Sequence, residues 1–200
     1  MARKRKNYKP LAALAVLAVA ALVAATVTFT NVTYWLINAT KPPAMKYPGD
    51  DVRVAGGMYV KVSYYYDSDN GINVTKISII GFTGDPTNYT SVIKVCNYYG
   101  TTPISAQLVW RGPVTTTGRE SYIKAFLVGK YNTAGTNFEG GYVGFVGATT
   151  YNTAGPYTID PGSCIDIGAH VRIDPAIPMG LADGRTVLGQ YQVDIVMSPS

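Results

Sequence analysis

The chain has two cysteines and a single histidine, and these are the first residues to consider for covalent or proton-transfer chemistry. A cysteine nucleophile needs a base to form its thiolate, and the only histidine that could act as that base is His170. Alternation places His170 on the outward side of its predicted strand, where a surface histidine is the simpler interpretation. One histidine without an HExxH pattern also excludes the usual zinc hydrolase arrangements. The sequence has no GxSxG turn and no GK[ST] loop, so we expect no catalytic residue, no metal and no cofactor.

Acidic residues occur in two close pairs, at Asp50-Asp51 and at Asp67 and Asp69. Carboxylates in a turn can bind calcium, but the run from Asp67 to Gly71 lacks the ligand spacing and the closing glutamate of a calcium loop. Its Asp, Asn and Gly residues are typical of a tight turn. We interpret this run as a hairpin turn, with weak calcium binding at Asp67 and Asp69 as the alternative.

The first 25 residues have the layout of a secretory signal, with a basic start, an uncharged Ala-rich stretch from Leu11 to Ala25 and small residues at its end. Five of the 17 Lys and Arg residues lie in the first nine positions, so the other 12 equal the 12 Asp and Glu residues. A neutral domain lacks the basic patch that nucleic acid binding requires. We predict cleavage near Ala25, and the alternative is an uncleaved membrane anchor from Leu11 to Phe29. Both place the rest of the chain outside the cytosol.

Export also bears on the cysteines and on the asparagines. In an exported chain, two cysteines favour a disulfide, here between Cys96 and Cys164. Both fall in predicted strands at outward positions, so we expect the bridge on the outer face of a sheet. The Asn-X-Ser/Thr motif accepts glycans in exported proteins, and this motif occurs at Asn31, Asn38, Asn73 and Asn88.

The composition after the leader is that of a β-protein. The chain has 16 Tyr and 21 Gly residues, and short alternating runs are separated by turn residues, without a helical period. This pattern predicts an all-β sandwich, immunoglobulin-like or jelly-roll. The predicted strands are Met58–Tyr66, Ile72–Phe82, Ser91–Tyr98, Pro103–Trp110, Ser121–Val128, Gly141–Ala148, Cys164–Ile173 and Thr186–Met197.

Alternation also predicts which residues face the core. In the last strand these are Val187, Tyr191, Val193 and Ile195, and in the strand before it they are Ile165, Ile167, Ala169, Val171 and Ile173. The pentapeptide YNTAG occurs twice, at 131–135 and 151–155. We interpret both copies as turns, with a pair of functional loops as the alternative.

The segment directly after the leader, from Thr26 to Leu36, alternates between apolar and polar residues, and a Pro-rich stretch from Lys41 to Gly49 follows it. Its β-branched and aromatic residues favour a strand. Such a strand can be the first strand of the sandwich or the juxtamembrane part of an anchor. It can also leave its own subunit and complete the sheet of a neighbour.

Four features of the chain resemble those of a known group of surface proteins. They are the Ala-rich leader, the strand behind it, SVIKVCNYYGTTPISAQLVW at 91–110 and YTIDPGSCIDIGAHVRID at 157–174. These features are similar to the TasA/camelysin-like biofilm fibre proteins, and more closely to the archaeal bundling pilins of hyperthermophilic Thermoproteales. The resemblance implies a secreted jelly-roll subunit that polymerises by donor-strand complementation, without the peptidase activity attributed to camelysin, because no metal motif is present. It assigns the donor strand to Val27, Phe29, Val32, Tyr34 and Leu36.

The sequence thus predicts three regions: a signal peptide or anchor at 1–25, an N-terminal strand and tether at 26–48, and a β-sandwich domain at 49–200. We expect a non-enzymatic structural subunit of an extracellular filament, serving biofilm formation or cell–cell adhesion. Its partners would be neighbouring subunits and neighbouring filaments. The alternative is a secreted or membrane-anchored immunoglobulin-like surface module that binds carbohydrate or associates with an S-layer.

Overall fold

The structure is a computed structural model that describes residues 44–54, 56–69 and 72–199. This part of the chain is almost entirely β, which confirms the predicted fold class. Its elements are β1 Met45–Pro48, helix α1 Asp50–Val54, β2 Val60–Asp67, β3 Ile72–Ile79, β4 Thr87–Cys96, β5 Ile104–Thr115, β6 Ile123–Tyr131, β7 Phe138–Val146, β8 Thr149–Tyr151, β9 Thr153–Ile159, β10 Cys164–Ile173 and β11 Gln190–Pro199. Two 3-10 turns, Glu120–Tyr122 and Met179–Leu181, precede β6 and β11.

The strands form two sheets and a hairpin. The larger sheet has the order β1-β4-β10-β6-β7-β8, the smaller has the order β11-β5-β9, and β2 pairs with β3. All of these pairings are antiparallel. Only Asn152 separates β8 from β9, so the chain passes directly from the larger sheet to the smaller one along one side of the sandwich.

The core combines apolar residues from both sheets and from the hairpin. Each fully buried aliphatic side chain of this kind stabilises the fold by roughly 1.5–3 kcal/mol relative to exposure. The largest fully buried aliphatic residues of the core are Leu108 and Ile159 of the smaller sheet, Ile167, Val95 and Val143 of the larger sheet, and Val60 of the hairpin.

β10 has the predicted bounds and the predicted alternation, since all five residues expected to face the core are buried and Arg172 is exposed. The last strand differs at its start. β11 begins at Gln190, and Val187 is 59% exposed in the preceding loop, so its predicted core position is wrong. The Asp183 carboxylate explains the loop, because it accepts the backbone N–H groups of Arg185 and Thr186 at 2.8 and 2.7 Å.

The larger sheet begins inside the stretch predicted as a tether. In β1, Met45 lies opposite Cys96 and Pro48 lies opposite Ile93, so the boundary predicted between residues 48 and 49 is placed too late. The sequence did not predict this strand, because proline is uncommon within strands. A proline is tolerated here because β1 is an edge strand and Pro48 is its last residue.

The two YNTAG copies adopt different structures. The first forms the predicted turn between β6 and β7, where the Gly135 N–H donates to the carbonyl oxygen of Asn132 at 2.8 Å. The second copy lies at the end of β8 and the start of β9, and Ala154 is buried opposite Leu108 of β5. The prediction of a second turn is therefore wrong, because pairing with β5 decides the conformation there.

Asn97 fixes the end of β4 by hydrogen bonds, and Gly144 allows β6 and β7 to pair closely. Asn97 directly follows β4 and is fully buried, and its Nδ2 donates to the carbonyl oxygens of Thr102 and Ile159 at 2.9 and 3.0 Å. Gly144 of β7 has a φ of 123°, and a Cβ atom there would lie 2.0 Å from the carbonyl oxygen of Phe126. Only glycine permits this close pairing of β6 and β7.

Candidate functional site

Cys96 of β4 and Cys164 of β10 form a disulfide, which confirms the predicted pairing. The two residues lie opposite each other in the ladder, with Cα atoms 4.0 Å apart, and are separated by 68 positions in the sequence. The Tyr98 hydroxyl lies 3.2 Å from the Sγ atom of Cys164, and the Tyr98 ring contacts Tyr47 of β1. Cys96 is only 1% exposed, so the bridge is a protected cross-link rather than a reactive thiol pair.

The acidic pair at the start of α1 belongs to a polar cluster on β4. Asp50 pairs with the Lys94 ammonium at 2.9 Å, Asp51 accepts the Ser91 N–H at 2.7 Å, and the Ser91 hydroxyl bonds to Asp166. The hydrogen bond that the Lys94 ammonium donates to Asp50 raises the pKa of Lys94, so the lysine stays protonated and cannot serve as a base for Ser91. These contacts attach α1 to the larger sheet.

His170 lies in a second small network rather than beside a nucleophile. Its Nδ1 atom is 2.7 Å from the Oδ1 atom of Asn88, which also accepts the Tyr131 hydroxyl at 3.2 Å. Burial, and then the charge of Arg172, lower the pKa of His170. The imidazole is thus kept neutral, and its contacts orient the Asn88 side chain.

Asn88 is the predicted glycosylation residue whose side chain the structure describes. It is exposed near the start of β4. The Asn31 and Asn38 sequons and the Asn73 side chain lie outside the described residues.

Asp67 and Asp69 lie at the hairpin turn, as predicted. β2 and β3 pair from Val60 opposite Ile79 to Asp67 opposite Ile72, and the Asp69 N–H donates to the Asp67 carboxylate at 3.1 Å. Within the described ranges, no group of three or more His, Cys, Asp or Glu side chains is arranged to hold a metal ion.

β11 has one unpaired side, which we call the open edge. The strand pairs with β5 along its whole length, from Gln190 to Pro199. Among residues 44–54, 56–69 and 72–199, no strand pairs with its other side. The inward-facing residues Val193 and Ile195 are only partly buried, although they contact the same core cluster as Val60 and Val62 of the hairpin.

The charge of Lys46 on β1 interacts with the charge of Asp194 on β11. Lys46 lies opposite the fully buried Val95 and therefore points toward the inside of the sandwich. Burial lowers the pKa of Lys46, and the charge of Asp194 on β11 partly opposes that shift. An inward-pointing lysine is a common protection for an edge strand, so β1 is a protected edge.

An open cavity of about 500 Å³ lies between the two sheets at one end of the sandwich. We call it the aromatic cavity. Its aromatic side chains come from three strands, Trp110 of β5, Phe145 of β7 and Tyr191 of β11, and they contact one another. Its other lining residues are Pro113, Glu120, Ser121, Ile123, Lys124, Gly147 and Thr150. No local pattern in the sequence predicts this cavity, because its residues are brought together only by the pairing of distant strands.

The predicted donor-strand residues, Val27, Phe29, Val32, Tyr34 and Leu36, lie outside the described residues, as does the predicted leader at 1–25. In the part of the chain that is described, no helix has the length and apolar character needed to cross a membrane. No protein-family model and no curated protein sequence matches this chain.

Proposed function

We propose that the protein is a structural subunit of an extracellular filament, in which each subunit adds a strand to the sheet of its neighbour. The observation that carries this proposal is the open edge of β11, ten residues long and unpaired within the described part of the chain. A long unpaired edge presents a row of free N–H and C=O groups, and folded proteins generally cover or interrupt such edges. Here an added strand would provide the cover.

The side chains next to the open edge support the same proposal. Val193 and Ile195 face the core but remain partly accessible, and Val196 is 45% exposed. A strand laid along β11 would remove more of this apolar surface from water, at roughly 25 cal/mol per Å². The hairpin residues Val60 and Val62 already face the same cluster, so an added strand would extend an existing core.

The segment from Thr26 to Leu36 is the proposed donor. Its length matches that of β11, and its apolar residues alternate as strand addition requires. The parity changes between Phe29 and Val32, so the bound strand needs one bulge near Thr30 to keep both sets of side chains facing inward.

Export supports assembly outside the cytosol. Disulfides persist in oxidising compartments, and the Cys96–Cys164 bridge is formed. Cleavage of the leader near Ala25 would free Thr26 as the start of the donor strand. N-terminal sequencing of native protein should therefore begin near Thr26, whereas an intact Met1 or Ala2 in membrane fractions would favour the anchored surface module.

Deletion of residues 26–36 tests the proposal. We expect folded monomers that bind a synthetic peptide of this segment and are stabilised by it, as thermal unfolding would record. A variant that unfolds outright, or a stable monomer that ignores the peptide, would overturn the donor-strand hypothesis.

Point variants separate assembly from folding. Phe29→Ala should weaken polymerisation by about 3–5 kcal/mol per contact if the ring is buried in the neighbour, and Thr28→Ala, at the opposite parity, is its matched control. Val196→Lys places a charge on the open edge and should block assembly. Val187→Lys, outside the strand, should leave assembly unchanged. Light scattering and electron microscopy of fibres measure the polymerisation of each variant.

A further inference from the structure

The aromatic cavity opens on the side of β5 that faces β8, because β9 does not extend that far. The last pair between β5 and β9 joins Val109 to Thr153, whereas β5 continues to Thr115 and pairs only with β11. Gly147 and Thr150 line the far side of the opening. The open edge lies on the other side of β11, so the cavity and the open edge are different surfaces.

The inner wall of the aromatic cavity is a contiguous aromatic surface. The rings of Trp110 and Tyr191 are stacked, with centroids 5.3 Å apart and an interplanar angle of 29°. Phe145 meets Trp110 edge-on at 6.0 Å and Tyr191 at 5.3 Å. The parts of these three rings that line the cavity offer an apolar surface to the C–H groups of a sugar ring.

The rim of the aromatic cavity supplies hydrogen-bonding groups with little net positive charge. The hydroxyls of Ser121 and Thr150 can both donate and accept. The Lys124 ammonium is already paired with Asp174 at 2.7 Å and donates to the Ser121 carbonyl at 3.0 Å. The backbone N–H of Thr117 lowers the pKa of Glu120, which therefore remains an ionised acceptor.

These charges decide the class of ligand. An anionic ligand would meet the Glu120 carboxylate while the nearby Lys124 is already neutralised by Asp174. A neutral polyhydroxylated ligand instead finds acceptors, donors and an aromatic wall together. The volume of about 500 Å³ also lies within the range of small-molecule sites, roughly 300–1,000 Å³.

We propose that the aromatic cavity binds a neutral saccharide unit. One face of the sugar ring lies against the aromatic wall, and its hydroxyls bond to Glu120, Ser121 and Thr150. A filament subunit with this site would attach to glycans independently of its polymerisation, and the site would serve equally in a monomeric surface module.

Tryptophan fluorescence of the full chain tests the proposal. The chain has two Trp residues, so Trp35→Phe leaves Trp110 as the only tryptophan reporter. We expect a saturable change on titration with neutral sugars, using glucose, mannose, galactose, N-acetylglucosamine, maltose and cellobiose as probes. Glucuronic acid, which is anionic, should bind at least about tenfold more weakly.

Calorimetry of rim variants then assigns the site. Glu120→Gln keeps an oxygen for the Thr117 N–H but removes the charge, and should weaken binding about tenfold, as expected for loss of a charged hydrogen bond. Thr150→Val should also weaken it, whereas Tyr66→Phe on the exposed hairpin is the matched control. Three results would each overturn the proposal: no saturable response to any neutral sugar, unchanged binding in both rim variants, or tighter binding of glucuronic acid. Displacement of the sugar by the 26–36 peptide would also overturn it, since the cavity would then belong to the assembly surface.

Discussion

Reduction of the Cys96–Cys164 disulfide should lower the free energy of unfolding by about 4 kcal/mol. The bridge joins residues 68 positions apart, and the chain-entropy treatment of a cross-link of this span gives that loss of freedom in the unfolded chain at 25 °C. The native sheet already holds both cysteines opposite each other on β4 and β10. The effect therefore acts mainly through the unfolded state.

Urea denaturation of the oxidised and the reduced wild-type protein measures this difference with nearly the same side chains in both samples. With a slope of about 2 kcal/mol per M urea, which is typical of small proteins, the midpoint should fall by about 2 M on reduction. The melting temperature should fall by roughly 10 °C. Cys96→Ala combined with Cys164→Ala is the thiol-free control. It should lose slightly more stability, because Cys96 is buried and its truncation removes core contacts.

A midpoint shift below about 0.5 M would refute this reasoning, because the bridge would then contribute less than about 1 kcal/mol. Two alkylatable thiols in native protein would remove its premise. Peptide mapping without reductant should instead recover the Cys96–Cys164 pair.

Three further perturbations have expected outcomes. Burial raises the pKa of Tyr131 from 10.0 to about 12; its stabilising contribution is complete below pH 10 and is lost as the pH rises toward 12, by about 2–3 kcal/mol. Unfolding measured against pH should show a smaller loss in Tyr131→Phe than in wild type, because Tyr89, Tyr157 and Tyr191, whose pKa values burial also raises, still titrate in the variant. Asn97→Ala leaves buried carbonyls without their donor and should cost about 2–3 kcal/mol in urea denaturation, whereas the exposed Asn137→Ala should stay within about 0.5 kcal/mol. Gly144→Ala should cost more than about 3 kcal/mol and raise amide exchange in β6 and β7, whereas Gly180→Ala, with open space around its Cβ position, should be neutral.

The alternation of apolar and polar residues was sufficient to predict strands that bury one face and expose the other. The alternation of β10 follows directly from its sequence, because a period of two is visible over ten residues. The β2–β3 hairpin follows from the turn residues after Asp67. The disulfide followed from the cysteine count and from the prediction of export, and the pairing of β4 with β10 provides its geometry.

The features that the sequence did not predict depend on pairing between strands that are distant in the sequence. β1 contains a proline and is only four residues long, so its strand character comes from its partner β4. The two YNTAG copies have the same residues and different structures, because only the second lies beside β5. The aromatic cavity depends on contacts between residues as distant as Trp110 and Tyr191, which no local period can reveal.

The position of the disulfide has a mechanical consequence for the chain under tension. Met45 lies opposite Cys96, and Cys96 lies opposite Cys164 and is bonded to it. A force applied at residue 44 therefore acts on a covalent bond that is only one strand away from β1. The bridge also bypasses the chain between the two cysteines. A stretch of 68 positions represents about 230 Å of extended length that the oxidised chain cannot release. Oxidation therefore limits how far the chain can elongate before the backbone itself bears the force.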